Sequence, residues 1–262
     1  MGSKAAVQMY TLRDETKTEA EFADSLKKIS DIGYEAVQLS AVGCMNGDDP
    51  EVDATQGRKM LDDHGLKCIA THRDWDDLEN ETQREVDFHQ TLGCTYTAIG
   101  GIPGPYREKG AEGFREFVKD SAEPIARLKE AGITWGYHNH AHEFVRYAAG
   151  PKTWYDIFID EGGPDFTLEL DTYWAVHAGA DPIAIFDRCH GRVPVIHVKD
   201  KEVVNNEPIM SPVGEGNLNW DGIIDSCKRA GVEWYAVEQD RCYRDAFDCL
   251  KSSFEFLVSK GV

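Results

Sequence analysis

The chain has 262 residues, of which 41% are hydrophobic and 10% aromatic, and this composition is typical of a soluble globular protein. A formal net charge of −19 argues against nucleic acid as the main partner, because phosphate binding needs a basic surface. No apolar run approaches the roughly 20 residues of a membrane span, so we expect no membrane partner. The chain does not begin with the pattern of a secretory signal, and its seven cysteines form no CxxC pair. We therefore expect a cytoplasmic protein with reduced thiols.

Apolar segments rich in β-branched residues alternate with amphipathic segments along the whole chain. Strands are predicted at residues 5–10, 36–40, 67–72, 95–101, 134–140, 166–171, 193–200 and 234–240. Helices are predicted at residues 19–33, 55–65, 79–93, 111–132, 153–162, 182–191, 221–231 and 243–261. Several of these helices end in a glycine just before the next strand, which is the usual helix C-terminal signal.

Eight strand–helix units predict an α/β protein of the (β/α)8 TIM barrel class, with residues 1–262 forming a single domain. An open doubly wound sheet uses the same alternation, but it normally carries a glycine-rich phosphate turn after an early strand. The first strand here is followed by Leu12 and Arg13 without any glycine, which favours the barrel. The active site is then expected at the carboxyl ends of the strands.

Polar side chains cluster at the ends of strands 5 to 8, beginning with the stretch TWGYHNHAHEF at residues 134–144. The best set of metal ligands, one from each of these units, is Glu143, Asp171, His197 and Glu238. Such oxygen and nitrogen donors without thiolate suit one divalent ion, with Mn²⁺ expected first and Mg²⁺, Co²⁺, Fe²⁺ or Zn²⁺ as alternatives. Three carboxylates and one imidazole leave coordination positions for two substrate oxygens.

Each of these ligands has an alternative interpretation. Glu143 falls on the opposite strand face from His138, so it reaches the metal only if the strand ends near His140; otherwise it is a solvated loop carboxylate. Asp171 could instead cap the following helix. His197 could be a buried core histidine, and Glu238 could form an ion pair with Lys199 or an arginine.

Other residues at the strand ends are candidates for substrate binding and proton transfer. Asp200 and Asp240 either orient the ligands or lie on the surface. The loop at 211–220 contains glycines but no lysine or arginine, so a phosphate site there is disfavoured. Catalytic roles are expected for Glu143, Glu238 and His140, and substrate contacts are expected for His72, His138, Trp174, Lys199 and Arg73.

Five motifs in order carry a resemblance to a known family: YHNHAHEF (137–144), ELDTYW (169–174), HVKD (197–200), VGEG (213–216) and VEQD (237–240). The chain resembles the xylose isomerase-like TIM-barrel superfamily, in its sugar phosphate isomerase/epimerase branch, and is similar to tagatose epimerases, hydroxypyruvate isomerases and inosose dehydratases. The resemblance implies the ligand set given above. Many relatives carry histidine where this chain has Trp174, and the loss of that histidine argues against the DNA-repair activity of the related endonucleases.

The expected function is that of a divalent-metal-dependent isomerase or epimerase, which removes a proton from a keto sugar or sugar derivative and stabilises the enediolate with the metal. The alternative within the same superfamily is a lyase or dehydratase, similar to inosose dehydratase or acting by 3-keto-glycoside elimination. A non-catalytic carbohydrate-binding barrel is a third possibility. The expected partner is a small sugar and not nucleic acid, and a homo-oligomer with further copies of the chain is compatible with the sequence.

Overall fold

The structure is a computed structural model that describes residues 3–147 and 150–262. The strands within these residues are β1 Ala5–Gln8, β2 Ala36–Leu39, β3 Lys67–His72, β4 Tyr96–Ile99, β5 Thr134–His138, β6 Thr167–Glu169, β7 Val195–Val198, β8 Asp200–Val204, β9 Glu207–Ser211 and β10 Trp234–Val237. The α-helices are α1 Glu19–Ile32, α2 Ala54–Asp63, α3 Trp75–Asn80, α4 Thr82–Leu92, α5 Gly104–Arg107, α6 Ala111–Asp120, α7 Ala122–Glu130, α8 Trp154–Glu161, α9 Thr172–His177, α10 Pro182–Arg188, α11 Trp220–Ala230 and α12 Ala246–Ser259. Short 3-10 turns occupy Met9–Glu15, Gly43–Met45 and His142–Phe144.

Eight parallel strands form one sheet in the order β6-β5-β4-β3-β2-β1-β10-β7. The two outer strands of this list meet through a parallel bridge between Asp171 and His197, where the His197 N–H donates to the Leu170 carbonyl at 3.0 Å. The sheet therefore closes on itself, and helices surround it. The predicted (β/α)8 barrel is confirmed.

The strand register brings the polar strand ends to one level of the barrel. His138 of β5 pairs with Glu169 of β6, and His197 of β7 pairs with Ala236 of β10. Glu238 follows β10 directly. Because all eight strands run in the same direction, their carboxyl ends form one rim, and these side chains converge there.

The core has two layers, since side chains alternate between the barrel interior and the helices. The outer layer includes a group of aromatic rings around Trp135, Phe158 and Phe166, all at most 1% exposed. The inner layer holds Tyr96 among small side chains. A Cβ at Gly136 would lie 1.9 Å from the Tyr96 hydroxyl oxygen, so only glycine leaves room for this ring inside the barrel.

Some elements differ from the sequence prediction. The helix expected at 111–132 is divided into α6 and α7, because Pro124 has no N–H to continue the helical hydrogen bonds. The strand expected to run to residue 140 ends at His138, and the strand expected at 193–200 ends at Val198. Residues 200–211 instead form an antiparallel hairpin of β8 and β9, which the sequence analysis did not assign.

In the two ranges that the structure describes, no helix is both long enough and apolar enough to cross a membrane.

Candidate metal centre

Four buried side chains bring potential metal ligands together at the carboxyl end of the barrel. His138, Asp171, His197 and Glu238 each offer one donor atom, and these atoms all lie within 4.8 Å of one another. Each of the four residues is at most 4% exposed. Three of them belong to the predicted ligand set, and the fourth, His138, was predicted to bind substrate.

Two polar atoms of these residues make no hydrogen bond to the described part of the chain, and one of them, Asp171 Oδ2, has an ion-pair contact with Lys199 Nζ at 3.0 Å. His138 Nδ1 and Asp171 Oδ2 are buried and accept or donate no hydrogen bond. Leaving a buried polar atom unsatisfied costs about 1–3 kcal/mol. Two such atoms in one cluster of carboxylates and imidazoles indicate a site that fits a divalent cation.

Asp171 combines the two roles that the sequence left open. It is the N-cap of α9, where its Oδ1 accepts from the Trp174 N–H at 2.8 Å. Its Oδ2 points into the cluster and remains available as a ligand. Burial raises the pKa of Asp171 to about 6, although the charges of Lys199 and His197 oppose this rise.

His197 is held between carboxylates on both sides of its ring. Its Nδ1 lies 2.7 Å from Glu238 Oε2, and its Nε2 lies 2.8 Å from Gln38 Oε1 and 3.0 Å from Glu169 Oε2. Burial opposes protonation of the ring, but the charges of Glu169 and Glu238 prevail and raise the pKa of His197 to about 10. A ligand role through Nδ1 would leave Nε2–H hydrogen-bonded to Gln38 or Glu169, the usual arrangement of a metal-binding histidine.

Glu169 is a residue of the site that the sequence analysis did not select. Its carboxylate is fully buried and accepts from His72 Nε2 at 2.5 Å and from Gln38 Nε2 at 2.8 Å. Burial opposes its ionisation, but His197 and His72 outweigh burial and lower the pKa of Glu169 to about 2. The available signal was its spacing of two residues from Asp171, which places both on the barrel side of one strand.

Glu143, which was predicted to be a ligand, lies outside the group of four donors and belongs to another group, with His140 and His142. It sits in the 3-10 turn at His142–Phe144 and is completely buried, so it is not a solvated loop carboxylate either. Its Oε1 accepts from the Tyr137 hydroxyl at 2.7 Å, and its Oε2 accepts from the His140 N–H at 2.9 Å. Since β5 ends at His138, the turn directs Glu143 back towards Tyr137, and His138 takes the fourth place in the group.

The environment of Glu143 changes its acidity and that of its neighbours. Burial raises the pKa of Glu143 to about 7, although the hydrogen bond from Tyr137 opposes this rise. Glu143, His140 and His142 form a separate group with ligand atoms within 4.8 Å of one another. Burial, with the charges of Lys199 and His142, lowers the pKa of His140 to about 4, so its imidazole is neutral at pH 7.

Lys199 is enclosed by carboxylates. Its Nζ lies 3.0 Å from Asp171 Oδ2, 2.7 Å from Glu238 Oε2 and 2.7 Å from Asp240 Oδ1, and the side chain is 1% exposed. The pairing of Glu238 with Lys199, given above as an alternative to a ligand role, therefore exists in the structure. Asp240 contacts Lys199 and not a donor of the metal group.

A cavity of about 980 Å³ is lined by His138 and Glu238 of this group and by most of the predicted substrate-binding residues. His72, Arg73, His138 and Lys199 line it, together with His140. Trp174 lies to the side, with its ring centroid 5.6 Å from that of His140. The Trp174 indole N–H is buried without a partner and remains a free donor.

The cations on the cavity wall are already paired. Seven acidic side chains but only three lysines and arginines line the cavity, so its charge is predominantly negative. Arg73 binds Glu85 through two hydrogen bonds of 2.7 and 2.8 Å, and Arg84 binds Asp77 at 2.6 Å. The described lining thus offers no free lysine or arginine for a phosphate group.

The loop at 211–220 is fixed by Asp200. The buried Asp200 carboxylate accepts from the N–H groups of Gly214, Gly216 and Leu218 at 2.9 to 3.2 Å and from Trp220 Nε1 at 2.5 Å. A Cβ at Gly216 would come within 2.3 Å of this carboxylate. Asp200 is therefore neither a surface residue nor a group that orients the ligands, and the loop N–H groups that a phosphate would need are already occupied.

Comparisons with known proteins agree with this architecture. A sugar phosphate isomerase/epimerase from Parabacteroides distasonis is 23% identical, with 98% of each chain covered and a TM-score of 0.80. An L-ribulose 3-epimerase is 16% identical, with 99% of this chain and 94% of that chain covered and a TM-score of 0.73. The IolI protein with a bound zinc atom is 15% identical, with 98% of each chain covered and a TM-score of 0.67.

These structures show a common fold. No curated protein matches the sequence at a significant level. The family described as xylose isomerase-like TIM barrel matches residues 26–257, which is most of the chain. The chain therefore belongs to the xylose isomerase-like TIM barrel family.

Proposed function

We propose that the protein is a divalent-metal-dependent isomerase or epimerase that acts on a keto sugar or sugar derivative. The observation that carries this proposal is the buried group of His138, Asp171, His197 and Glu238, in which two polar atoms make no hydrogen bond. Two members of the group, His138 and Glu238, line the cavity. A site of two imidazoles and two carboxylates that is open to a cavity is typical of a catalytic metal site, whereas a structural metal site is closed.

The four donors also bear on the identity of the metal. Two nitrogen and two oxygen ligands suit Mn²⁺, Fe²⁺, Co²⁺ or Zn²⁺, whereas Mg²⁺ prefers oxygen ligands alone. We keep Mn²⁺ as the first candidate, and the zinc atom of the IolI structure makes Zn²⁺ the second. Such an ion, when bound, supplies the Lewis acidity that makes a C–H group next to a carbonyl acidic.

His140 is the proposed proton acceptor. It lines the cavity, its imidazole is neutral at pH 7, and its backbone N–H is fixed by Glu143. Glu143 was predicted to move the proton itself, but it is completely buried and is absent from the cavity wall. We assign Glu143 the role of positioning His140, while Glu238 remains a candidate for the second proton carrier because it lines the same cavity.

The fate of the proton decides the reaction. Its return to the same carbon from the other side gives epimerisation, and its return to the neighbouring carbon gives isomerisation. Loss of a group from the next carbon gives a lyase or dehydratase. The last outcome is the second candidate, because a cavity of about 980 Å³ is at the upper end of the range for small-molecule sites and leaves space for a leaving group beside a sugar.

The charge of the cavity supports an unphosphorylated substrate. Arg73 and Arg84 are each paired with a carboxylate, and Lys199 is paired with three. Asp200 occupies the N–H groups of the loop at 211–220. A phosphate that binds to Arg73, Arg84 or Lys199 would therefore have to break an ion pair, whereas sugar hydroxyls can bind to carboxylate oxygens without doing so.

The test is hydrogen exchange in D₂O. We would load the metal-free protein with Mn²⁺ or Zn²⁺, offer free, phosphorylated and 3-keto sugars, and follow deuterium incorporation by NMR. An enolising enzyme incorporates deuterium only when metal is present, and D171N should lose this activity. Absence of exchange with every sugar, in protein shown to contain metal, would instead indicate a carbohydrate-binding barrel.

His140→Ala distinguishes the roles within the site. We expect this variant to retain metal and to lose both deuterium exchange and product formation, because the first proton transfer is then missing. Retention of exchange with loss of product would assign His140 to expulsion of a leaving group, as in a lyase, and would place the first step on Glu238.

A further inference from the structure

Lys199 occupies an unusual position, since two of its three carboxylate partners are proposed metal ligands. Its ammonium group contacts Asp171 Oδ2 at 3.0 Å and Glu238 Oε2 at 2.7 Å. The third partner, Asp240 Oδ1 at 2.7 Å, belongs to a residue outside the group of four donors. The ammonium is thus in ion-pair contact with three carboxylates and donates a hydrogen bond to Asp240.

We propose that Lys199 is an internal counter-cation that competes with the divalent ion for Asp171 and Glu238, and that Asp240 retains the ammonium group when the ion is bound. The inference rests on the proposed metal site. It adds a residue that sets how tightly this site holds its metal and that links metal loading to substrate binding.

The competition follows from distance and charge. A first-row divalent ion binds carboxylate oxygen at about 2.0–2.2 Å, and an ammonium group in ion-pair contact with the same oxygen atoms would lie within a few ångströms of it. Both cations are buried, so solvent screens their repulsion only weakly. Lys199 is 1% exposed and Asp171 is completely buried. The ion and the ammonium therefore cannot both have full use of Asp171 and Glu238.

Asp240 gives the ammonium group an alternative position. Its side chain is 28% exposed, compared with 5% for Glu238 and none for Asp171, so it lies on the cavity side of Lys199. An ammonium that shifts to Asp240 alone frees two N–H donors. Because Lys199 lines the cavity, these donors then face the space where a sugar would bind. Metal binding would thus prepare Lys199 for the substrate contact predicted from the sequence.

The test measures Mn²⁺ affinity by calorimetry on protein freed of metal with EDTA, together with the rise in melting temperature on adding Mn²⁺. K199M removes the competing charge, and we expect Mn²⁺ to bind at least tenfold more tightly and to raise the melting temperature more than in the wild type. K201M is the matched control, because it removes the same charge two residues along the chain, and its affinity should stay within about twofold of the wild type.

D240N supplies an effect in the opposite direction. It removes the alternative position, so the ammonium stays on Asp171 and Glu238, and Mn²⁺ should bind several-fold more weakly. In the double variant K199M/D240N this loss should disappear. If D240N weakens binding equally without the lysine, Asp240 attracts the metal directly and the proposed role of Asp240 is overturned.

The remaining outcomes are also decisive. Equal or weaker Mn²⁺ binding by K199M overturns the inference while leaving the metal site intact. Failure of the wild type to bind any divalent ion overturns the proposed function itself. If K199M folds only with metal, the rate of Mn²⁺ release to excess EDTA replaces the affinity measurement: slower release than from the wild type supports the competition, and equal or faster release refutes it.

Discussion

The buried Glu143 makes a sharp prediction about how stability depends on pH. Its pKa in the folded protein is raised to about 7, from an ordinary value of 4.5. The folded state therefore binds more protons than the unfolded state between these values. The stabilising contribution of this group is fully present below pH 4.5 and is lost as the pH rises through 7.

The size of this effect follows from the same two values. The difference between about 7 and 4.5 is 2.5, and at about 1.4 kcal/mol for each pH unit it corresponds to about 3 kcal/mol in the free energy of unfolding. E143Q removes the ionisable group. The glutamine keeps an acceptor for the Tyr137 hydroxyl but places an N–H group opposite the His140 N–H, which adds a destabilisation that does not vary with pH.

The assay is urea unfolding of metal-free protein at several pH values from 4.5 to 8, followed by circular dichroism. The free energy of E143Q minus that of the wild type should rise by about 3 kcal/mol across this range. Taking the difference cancels the contributions of groups that do not contact Glu143. E108Q, at an exposed glutamate, is the control and should give a flat difference. A flat difference for E143Q as well, or one that falls with pH, would refute the claim that Glu143 is buried largely as the neutral acid.

Further predictions concern the metal site. His138→Ala should lose bound Mn²⁺ in elemental analysis, whereas E143Q should retain it; the opposite result would restore Glu143 as the fourth ligand. Glu169→Gln should weaken Mn²⁺ binding about 10- to 100-fold, because it disturbs the group that orients His197, and an unchanged affinity by calorimetry would show that Gln38 alone suffices. Mn²⁺ affinity of the wild type should rise with pH by up to about tenfold per unit, because His197, with a pKa of about 10, must release a proton to bind metal. Calorimetry in buffers of different ionisation enthalpy should detect this proton release. An affinity that does not change with pH would show that no proton is released. Finally, kcat/KM for a free sugar should equal or exceed that for its phosphate ester, and a large preference for the ester would show that an ion pair in the cavity opens for phosphate.

The resemblance and the motif order in the sequence led to the family, and the strand–helix alternation led to the barrel. Both signals are local in the chain, since periodicity and helix-ending glycines depend on a few neighbouring residues. The rule that the carboxyl ends of parallel strands share one active rim predicts from the sequence that Asp171, His197 and Glu238 lie together. The structure gathers these three in one group.

The tertiary structure alone decided which side chain of the strand 5 stretch joins them. The choice between His138 and Glu143 depends on where β5 ends and on the Tyr137 hydroxyl that holds Glu143 behind the strand. The hydrogen bond from Lys199 to Asp240 likewise connects residues 41 positions apart, and the hydrogen bond from Gln38 to Glu169 connects residues 131 positions apart. No local pattern encodes such contacts, because they exist only once the barrel has closed and the buried charges have found their partners.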